Sequence, residues 1–293
     1  MFMVAIPVSS FLGSPLSAAL LTLDGVGGLR GWQWLLICES IPALLLGLAT
    51  LVVLPSRPAE AQFLTSEQKA WLEGCLEAER RAASAGHSGH GSVWSVLTNK
   101  QVWLLAVIYS GSSATSNALS LWMPQILKSF GLSNLETGLL NMIPFGIASV
   151  FMIFWGLRAD KSGERIWSTA LPLALTSLSL GLTLLTGSLT ITLVLLSLVL
   201  LGNYSIKGPF FALVTETLSP AQAAAGIAAI NTLAHLGTGA ITSLIGVLRE
   251  QSGSFPVALL PLWVLTAVGC ALVLWIGRDR LRASAAVAPA PAR

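Results

Sequence analysis

The chain has 293 residues, of which 54% are hydrophobic and only 10% are charged. Soluble domains carry about 25% charged residues, so a chain of this length with so few charges cannot cover its surface with polar groups. The composition excludes soluble globular, disordered, collagen-like and disulfide-stabilised proteins and indicates a polytopic membrane protein. The three cysteines are widely separated and no basic stripe is present, so we expect no metal, no cofactor and no nucleic-acid partner.

Eight apolar segments each have roughly the 20 residues needed to cross a hydrocarbon core of about 30 Å. Their long apolar runs favour helices over the short alternating strands of a membrane barrel. The fold class that they predict is an all-α membrane protein with spans at 2–23, 33–54, 101–123, 135–157, 167–187, 190–212, 226–248 and 257–277.

The positive charges predict the orientation of these spans. Twelve of the 16 Lys and Arg residues lie in the 55–100 loop, in the 158–166 loop or after residue 277. Arg30, Lys128 and Arg249 lie between spans on the opposite side, and Lys207 lies within a span. Because cytoplasmic loops are enriched in Lys and Arg, we expect a multi-pass inner-membrane protein with both termini in the cytoplasm.

The first span contains prolines and a row of serines. Ser10, Ser14 and Ser17 recur at helical spacing and share one face, as in a helix that lines a polar interior. Other helices would have to bury this face, and none precedes the first span in this sequence. We therefore expect the chain to begin in the middle of a larger protein.

The loop at 55–100 is the only long hydrophilic segment. Thr65 and Gln68 form a capping-box pattern that predicts an amphipathic helix running to about Ser84. His87 and His90 follow in a Gly- and Ser-rich stretch, but without a third ligand they do not predict a metal site.

The third span has the most polar face. Tyr109, Ser113, Asn117 and Ser120 share that face, which is typical either of the wall of a wet cavity or of hydrogen bonding between helices. We expect Pro124 to end this helix.

Lys207 lies deep in the sixth span and shares a face with Asn203 and Phe211. A charged side chain at the centre of a membrane helix costs at least about 2.5–3.5 kcal/mol. The adjacent Gly208 and Pro209 predict a kink or break in the helix, where a cation and freed backbone groups could bind an anion. The alternative is a structural lysine that snorkels or pairs with a carboxylate.

The seventh span carries a polar stripe at helical spacing, formed by Asn231, His235, Thr238 and Thr242. Histidine changes its charge near neutral pH, so His235 could relay a proton. It could equally serve only to hydrogen-bond between helices.

The loop between the fourth and fifth spans reads GLRADKSGERI over 156–166. It resembles the inter-helix signature of the major facilitator superfamily, Gly-x-x-x-Asp-(Arg/Lys)-x-Gly-x-(Arg/Lys), at Gly156, Asp160, Lys161, Gly163 and Arg165. Glu164 departs from the arginine often found there. The resemblance implies a cytoplasmic gate in which Asp160 meets the positive end of a neighbouring helix and Lys161 and Arg165 pair with carboxylates.

Three longer segments, 30–72, 121–133 and 207–250, are similar to the anion:cation symporter family within that superfamily, which includes tartrate, phthalate and sugar-acid permeases. The similarity implies that the eight spans are helices 5–12 of a twelve-helix transporter. Residues 1–54 would then be the last two helices of the N-terminal bundle, 55–100 the cytoplasmic linker, 101–277 the six-helix C-terminal bundle, and 278–293 a disordered cytoplasmic tail.

The same resemblance implies import of a small organic anion together with a proton or another cation. The family's substrate arginine and acidic coupling residues belong mostly to helices one to four and match no residue here. Asn231 fits a family asparagine, Asn117 stands where tyrosine is frequent, and His235 stands where asparagine is frequent. The predicted substrate-binding residues are Asn117, Lys207, Asn231, His235, Tyr109 and Asn203.

Two alternatives remain open at this point. One is a non-functional truncated remnant, which upstream codons for four more spans would argue against. The other is a membrane interaction or scaffold protein without transport, in which the polar stripes need not face a shared cavity. An enzyme is disfavoured because no nucleophile motif, carboxylate pair or P-loop is present.

Overall fold

The computed structural model describes residues 2–85, 96–218 and 220–287, and the pair His87 and His90 lies outside these ranges. The described residues form helices and connecting turns, without a β-strand among them. The helices are α1 (Ala5–Leu21), α2 (Gly31–Val53), α3 (Ser66–Ala85), α4 (Lys100–Lys128), α5 (Asn134–Ser162), α6 (Ile166–Thr183), α7 (Leu189–Ser205), α8 (Lys207–Thr217), α9 (Pro220–Ser252) and α10 (Phe255–Val287). The all-helical fold class is therefore confirmed.

Each predicted span coincides with a helix, and α7 and α8 together form the sixth. Within the described ranges, six segments are long and apolar enough to cross a membrane: α2, α5, α6, α7 with α8, α9 and α10. The other two predicted spans are less distinct. The α1 helix has only 17 residues, and the polar run at 109–120 lowers the hydropathy of α4.

Local sequence signals explain several helix ends. Asn99 caps α4 by accepting a hydrogen bond from the Gln101 amide at 2.9 Å. Ser133 and Glu136 form a capping box at the start of α5. The box predicted at Thr65 and Gln68 is confirmed, because each side chain accepts from the other residue's amide, at 3.0 and 3.3 Å.

Two helix ends differ from the sequence prediction. Pro124 does not end its helix, since α4 continues to Lys128 with Pro124 inside it. A proline removes one backbone donor, and neighbouring helices in a bundle tolerate this loss. The α10 helix runs to Val287, which makes 278–287 helical where we expect a disordered tail, while residues 288–293 lie outside the described ranges.

The chain separates into two compact units, one comprising residues 1–18 and 93–293 and the other residues 19–92. In the second unit, the apolar residues of α2 are largely exposed and only Gly31 is buried, as suits a helix whose surroundings are lipid or other helices. In the first unit, α4 packs against α9 and α10, and α7 packs against α5 and α6.

The part of α1 up to Ala18 packs against α5 within the first unit. Asn141 Nδ2 donates to Ser14 Oγ at 2.9 Å, and Ser14 Oγ donates to the Gly138 carbonyl at 3.1 Å. A β-carbon at Gly138 would collide with Ala18, so the small residue permits the close approach. Ser14, predicted to face a polar interior, thus bonds to a neighbouring helix.

Two apolar clusters fill the six-helix bundle. One contains Leu119, Met123 and Leu196, and the other contains Leu105 and Phe210. On α4, the buried hydroxyl residues lie where the two clusters adjoin: Ser110, Ser112, Ser113, Thr115 and Ser116. The bundle therefore places a polar layer at mid-depth along α4.

Candidate functional site

The polar face of α4 meets the polar stripe of α9 at Ser113. Ser113 Oγ lies 3.3 Å from His235 Nδ1 and 3.1 Å from Thr238 Oγ1. Ser113 and Thr238 are buried, whereas the His235 side chain is exposed. The two stripes predicted from separate spans are therefore joined by a hydroxyl network that ends at a histidine open to its surroundings.

The same face of α4 meets α7 at Asn203, whose side chain is completely buried. Asn203 Nδ2 donates to Ser116 Oγ at 2.7 Å, and Ser112 Oγ donates to the Asn203 carbonyl at 3.3 Å. Asn203 Oδ1 has no hydrogen-bond partner within the part of the chain that the structure describes. Asn203 is therefore a link between helices that keeps one free acceptor.

Lys207 begins α8, directly after the helix break at Ile206. The kink or break predicted beside Gly208 and Pro209 corresponds to this one-residue interruption, at which Ile206 keeps right-handed helical angles of φ −73° and ψ −22°. The Lys207 side chain is only 6% exposed. Its Nζ lies 4.9 Å from the centre of the Tyr204 ring, and no carboxylate among the described residues forms an ion pair with it. The geometry thus disfavours a structural lysine–carboxylate pair.

Tyr204 connects Lys207 to the α4 network. Its ring lies beneath the Lys207 ammonium, and its hydroxyl lies beside the hydroxyls of Ser116 and Ser120. Side chains of α9 and α7 therefore approach the same polar face of α4, His235 at Ser113 and Asn203 and Tyr204 at Ser116. Our sequence reasoning missed Tyr204, although its place between Asn203 and Lys207 was a usable signal.

Tyr109 packs α4 against α8. Its ring stacks on Phe210 at 5.1 Å between ring centres and meets the edge of Phe211 at 5.2 Å. This aromatic cluster holds the first turns of α8, and with them Lys207, against α4. Tyr109 thus supports the predicted site through packing.

The amide side chains of the two remaining predicted residues bond to their own helices. Asn117 Nδ2 donates to the Ser113 carbonyl at 2.8 Å, and Asn231 Nδ2 donates to the Ile227 carbonyl at 3.2 Å. Asn117 is exposed and Asn231 is half-buried. Among the described residues, neither side chain hydrogen-bonds to another predicted site side chain. By their spacing, Asn117 shares a face of α4 with Ser113, and Asn231 shares a face of α9 with His235.

The predicted gating motif is organised around Arg165. Its guanidinium forms ion pairs with Asp160 at 3.3 Å and with Glu216 of α8 at 3.1 Å, and it donates to the Ala159 carbonyl. Gly163 has a φ of 64° and ends α5 in the left-handed conformation that a glycine adopts readily. The sequence analysis did not identify Glu216. Its position just after the sixth span, where acidic residues are few, was the available signal.

The helix-end contact predicted for Asp160 is made by another residue. Asp160 lies at the carboxyl end of α5 and pairs with Arg165, whereas Glu164 Oε2 accepts from the Trp167 amide at 2.7 Å. Glu164, which departs from the family signature, thus meets the positive end of α6. Lys161 is exposed.

A cavity of about 450 Å³ lies beside this motif. It is lined by the start of the chain and by α5, α7 and α8, including Gly156, Asp160, Gly208 and Pro209. The cavity therefore reaches from the gating motif to the residues that follow Lys207.

Comparisons with known proteins agree with this architecture. A model of the Major Facilitator Superfamily matches residues 1–242. Two putative tartrate transporters of Agrobacterium vitis are 38% and 37% identical to the chain over 97% and 98% of its length. The chain spans 62% and 66% of the length of these relatives.

A solved structure supports the fold separately. It is the crystal structure of a bacterial homologue of the human lysosomal transporter Spinster in an inward-facing and occupied conformation. The TM-score is 0.65 at 13% sequence identity, with 98% of this chain and 70% of that chain covered. At this identity the likeness concerns the fold.

Proposed function

The chain belongs to the major facilitator superfamily, and we propose that it transports a small organic anion with a carboxylate group across the bacterial inner membrane by alternating access. The relatives named as putative tartrate transporters support an organic acid as the substrate class. The observation that carries the proposal is the buried Lys207 ammonium, which lies at a helix break and lacks a carboxylate partner among the described residues.

An unpaired ammonium in a low-dielectric interior is unfavourable unless it gains an opposite charge. The Tyr204 ring offsets part of this cost through a cation–π contact. A substrate carboxylate would supply the missing charge, and the amide groups of the proposed site would supply hydrogen-bond donors. We assign this role to Lys207 with Asn203, Asn117 and Asn231, and a positioning role to Tyr109.

The coupling ion is proposed to be a proton carried by His235. Its imidazole is exposed and hydrogen-bonded to Ser113, so protonation would alter its bond to the polar face of α4, which Asn203 also contacts. A histidine is suited to this role because its charge changes in the physiological pH range.

The ion pairs of Arg165 with Asp160 and Glu216 would close or open the cytoplasmic end as the transporter rocks. We propose that the motif of Gly156, Asp160, Lys161, Gly163 and Arg165 acts as this gate, with the neighbouring cavity as the route from Lys207 to the cytoplasm. In this arrangement both termini are cytoplasmic, α1 and α2 belong to the N-terminal bundle, and α4–α10 form the C-terminal bundle.

The test is uptake of labelled L-tartrate by cells that express the protein from its native gene. Lys207→Met should abolish uptake at unchanged membrane abundance, and Lys207→Arg should retain part of it because the charge remains. Lys128→Met is the matched control, since Lys128 is exposed at a helix end. Wild-type uptake by Lys207→Met would overturn the proposal.

A further inference from the structure

A second cavity, of about 310 Å³, lies at one end of the six-helix bundle. The charge distribution places this end on the external side of the membrane. The cavity is open to one side and is lined by the ends of α4, α6 and α9 and by the beginnings of α7 and α10. Its volume is large enough to hold a small hydrated anion. None of the residues assigned to the transport site lines it.

Arg249 supplies the positive charge of this cavity. Its guanidinium carbon lies 4.1 Å from the centre of the Phe255 ring, and the side chain is half-buried. Within the described ranges, Arg249 forms no ion pair with a carboxylate. The ring covers one face of the guanidinium, while the N–H donors at its edge remain able to bind an anion.

Two helix N-termini add positive potential to the same space. Thr186 and Gly187, which precede α7, and Ser254, which precedes α10, line the cavity. Ser188, the N-cap residue of α7, does not cap the helix with its side chain. The first amides of a helix carry a partial positive charge and bind anions when they are not capped.

The hydroxyl of Thr192 is an independent indication of a ligand. Thr192 lies in the first turn of α7, lines the cavity and is only 3% exposed. Its hydroxyl makes no hydrogen bond in the part of the chain that the structure describes, whereas the Thr183 hydroxyl of the same cavity donates to the Ser179 carbonyl at 2.8 Å. Because Thr192 Oγ1 is not among the fully buried unpaired atoms of the described residues, the hydroxyl is accessible from the cavity and can donate to a bound group.

We propose that this cavity is a second anion site, in which Arg249, Thr192 and the start of α7 bind a single carboxylate or phosphate group. This site is separate from Lys207 and does not depend on the proposed transport activity. The group could belong to a dissolved small anion or to the headgroup of an anionic phospholipid, and the two sources are separable by experiment.

The experiment is chemical modification of the purified protein by phenylglyoxal, which reacts with arginine, followed by mass spectrometry of the Arg249 peptide. In phosphatidylcholine vesicles, L-tartrate or inorganic phosphate at about ten times its Kd or more should slow modification of Arg249 by about tenfold or more, because the bound anion occupies the guanidinium. Arg30 is the internal control, because it is exposed and also predicted to lie outside, and its rate should not change.

The lipid source is tested by replacing phosphatidylcholine with phosphatidylglycerol. Protection by phosphatidylglycerol alone would support a headgroup site, and protection by the dissolved anions in phosphatidylcholine would support a small-anion site. If neither the dissolved anions nor phosphatidylglycerol slows the modification of Arg249 by phenylglyoxal, the proposal is wrong.

Two variants test which residues form the site. Thr192→Val keeps the side-chain shape and should raise the anion concentration for half-protection by about tenfold, because it removes one hydrogen bond to a charged group. Lys207→Met should leave the protection of Arg249 unchanged. Loss of protection in Lys207→Met would show that anion binding at the transport site protects Arg249, and would overturn a separate site without bearing on transport itself.

Discussion

Ser113 on α4 and His235 on α9 are hydrogen-bonded to each other, with 3.3 Å between Oγ and Nδ1. The two residues are 122 positions apart in the sequence, and each belongs to a polar stripe that was identifiable within its own span. Their contact connects a side chain that can change its charge to the hydroxyl layer of α4. This connection is the basis of the first prediction.

If His235 carries the coupling proton, His235→Gln should flatten the pH dependence of tartrate uptake between about pH 5 and 8. Wild-type uptake should rise as the pH falls, because protonation of His235 would accompany import. The measurement is the initial rate of uptake across this range, normalised to membrane abundance. A wild-type pH profile in His235→Gln would refute the role, and Thr232→Ala, an exposed position on the same helix, is the control.

Asn203 and Ser116 should be energetically coupled. Their hydrogen bond of 2.7 Å joins α7 to α4 in a buried environment, and such bonds between membrane helices contribute about 0.6 kcal/mol on average and up to about 1.7 kcal/mol. A double-mutant cycle with Asn203→Ala and Ser116→Ala, read from the free energy of unfolding, should give a coupling energy in this range. Additive effects would show that the contact does not stabilise the bundle.

Gly138→Ala should destabilise the packing of α1 on α5. The added β-carbon would collide with Ala18 and come within 2.9 Å of the Ser14 carbonyl oxygen, and overpacking of this kind costs about 1–3 kcal/mol. The thermal unfolding midpoint in detergent should therefore fall.

The matched control for this prediction is Gly156→Ala in the same helix. No heavy atom lies within 4 Å of a β-carbon at Gly156, and alanine is the better helix former. Its unfolding midpoint should stay the same or rise. Equal midpoints for the two variants would contradict the close approach of α1 and α5.

Reversal of the Arg165–Glu216 ion pair should test the gate. Arg165→Glu places like charges next to Asp160 and Glu216 and should strongly reduce uptake. The double change Arg165→Glu with Glu216→Arg restores one of the two ion pairs and should recover part of the activity. Equal loss in the single and double variants would show that the pair does not act in gating.

The sequence by itself was sufficient for the overall class of fold. Long apolar runs and the shortage of charges required membrane helices, because hydropathy is a property of each segment alone. The capping box at Thr65 and the helix interruption before Gly208 were also predictable, because both depend on the chemistry of a few adjacent residues. The importance of Lys207 was also visible, since an ionisable group within an apolar run is costly wherever it points.

Only the tertiary structure decided which polar groups meet. It placed Ser14 against Asn141, bonded Asp160 to Arg165 rather than to a helix end, and set Tyr204 beneath Lys207. Helical periodicity shows which side chains share a face, but the neighbour of that face depends on how several helices pack together. Partner choice is therefore settled by side-chain packing between segments distant in sequence, and a local pattern does not contain that information.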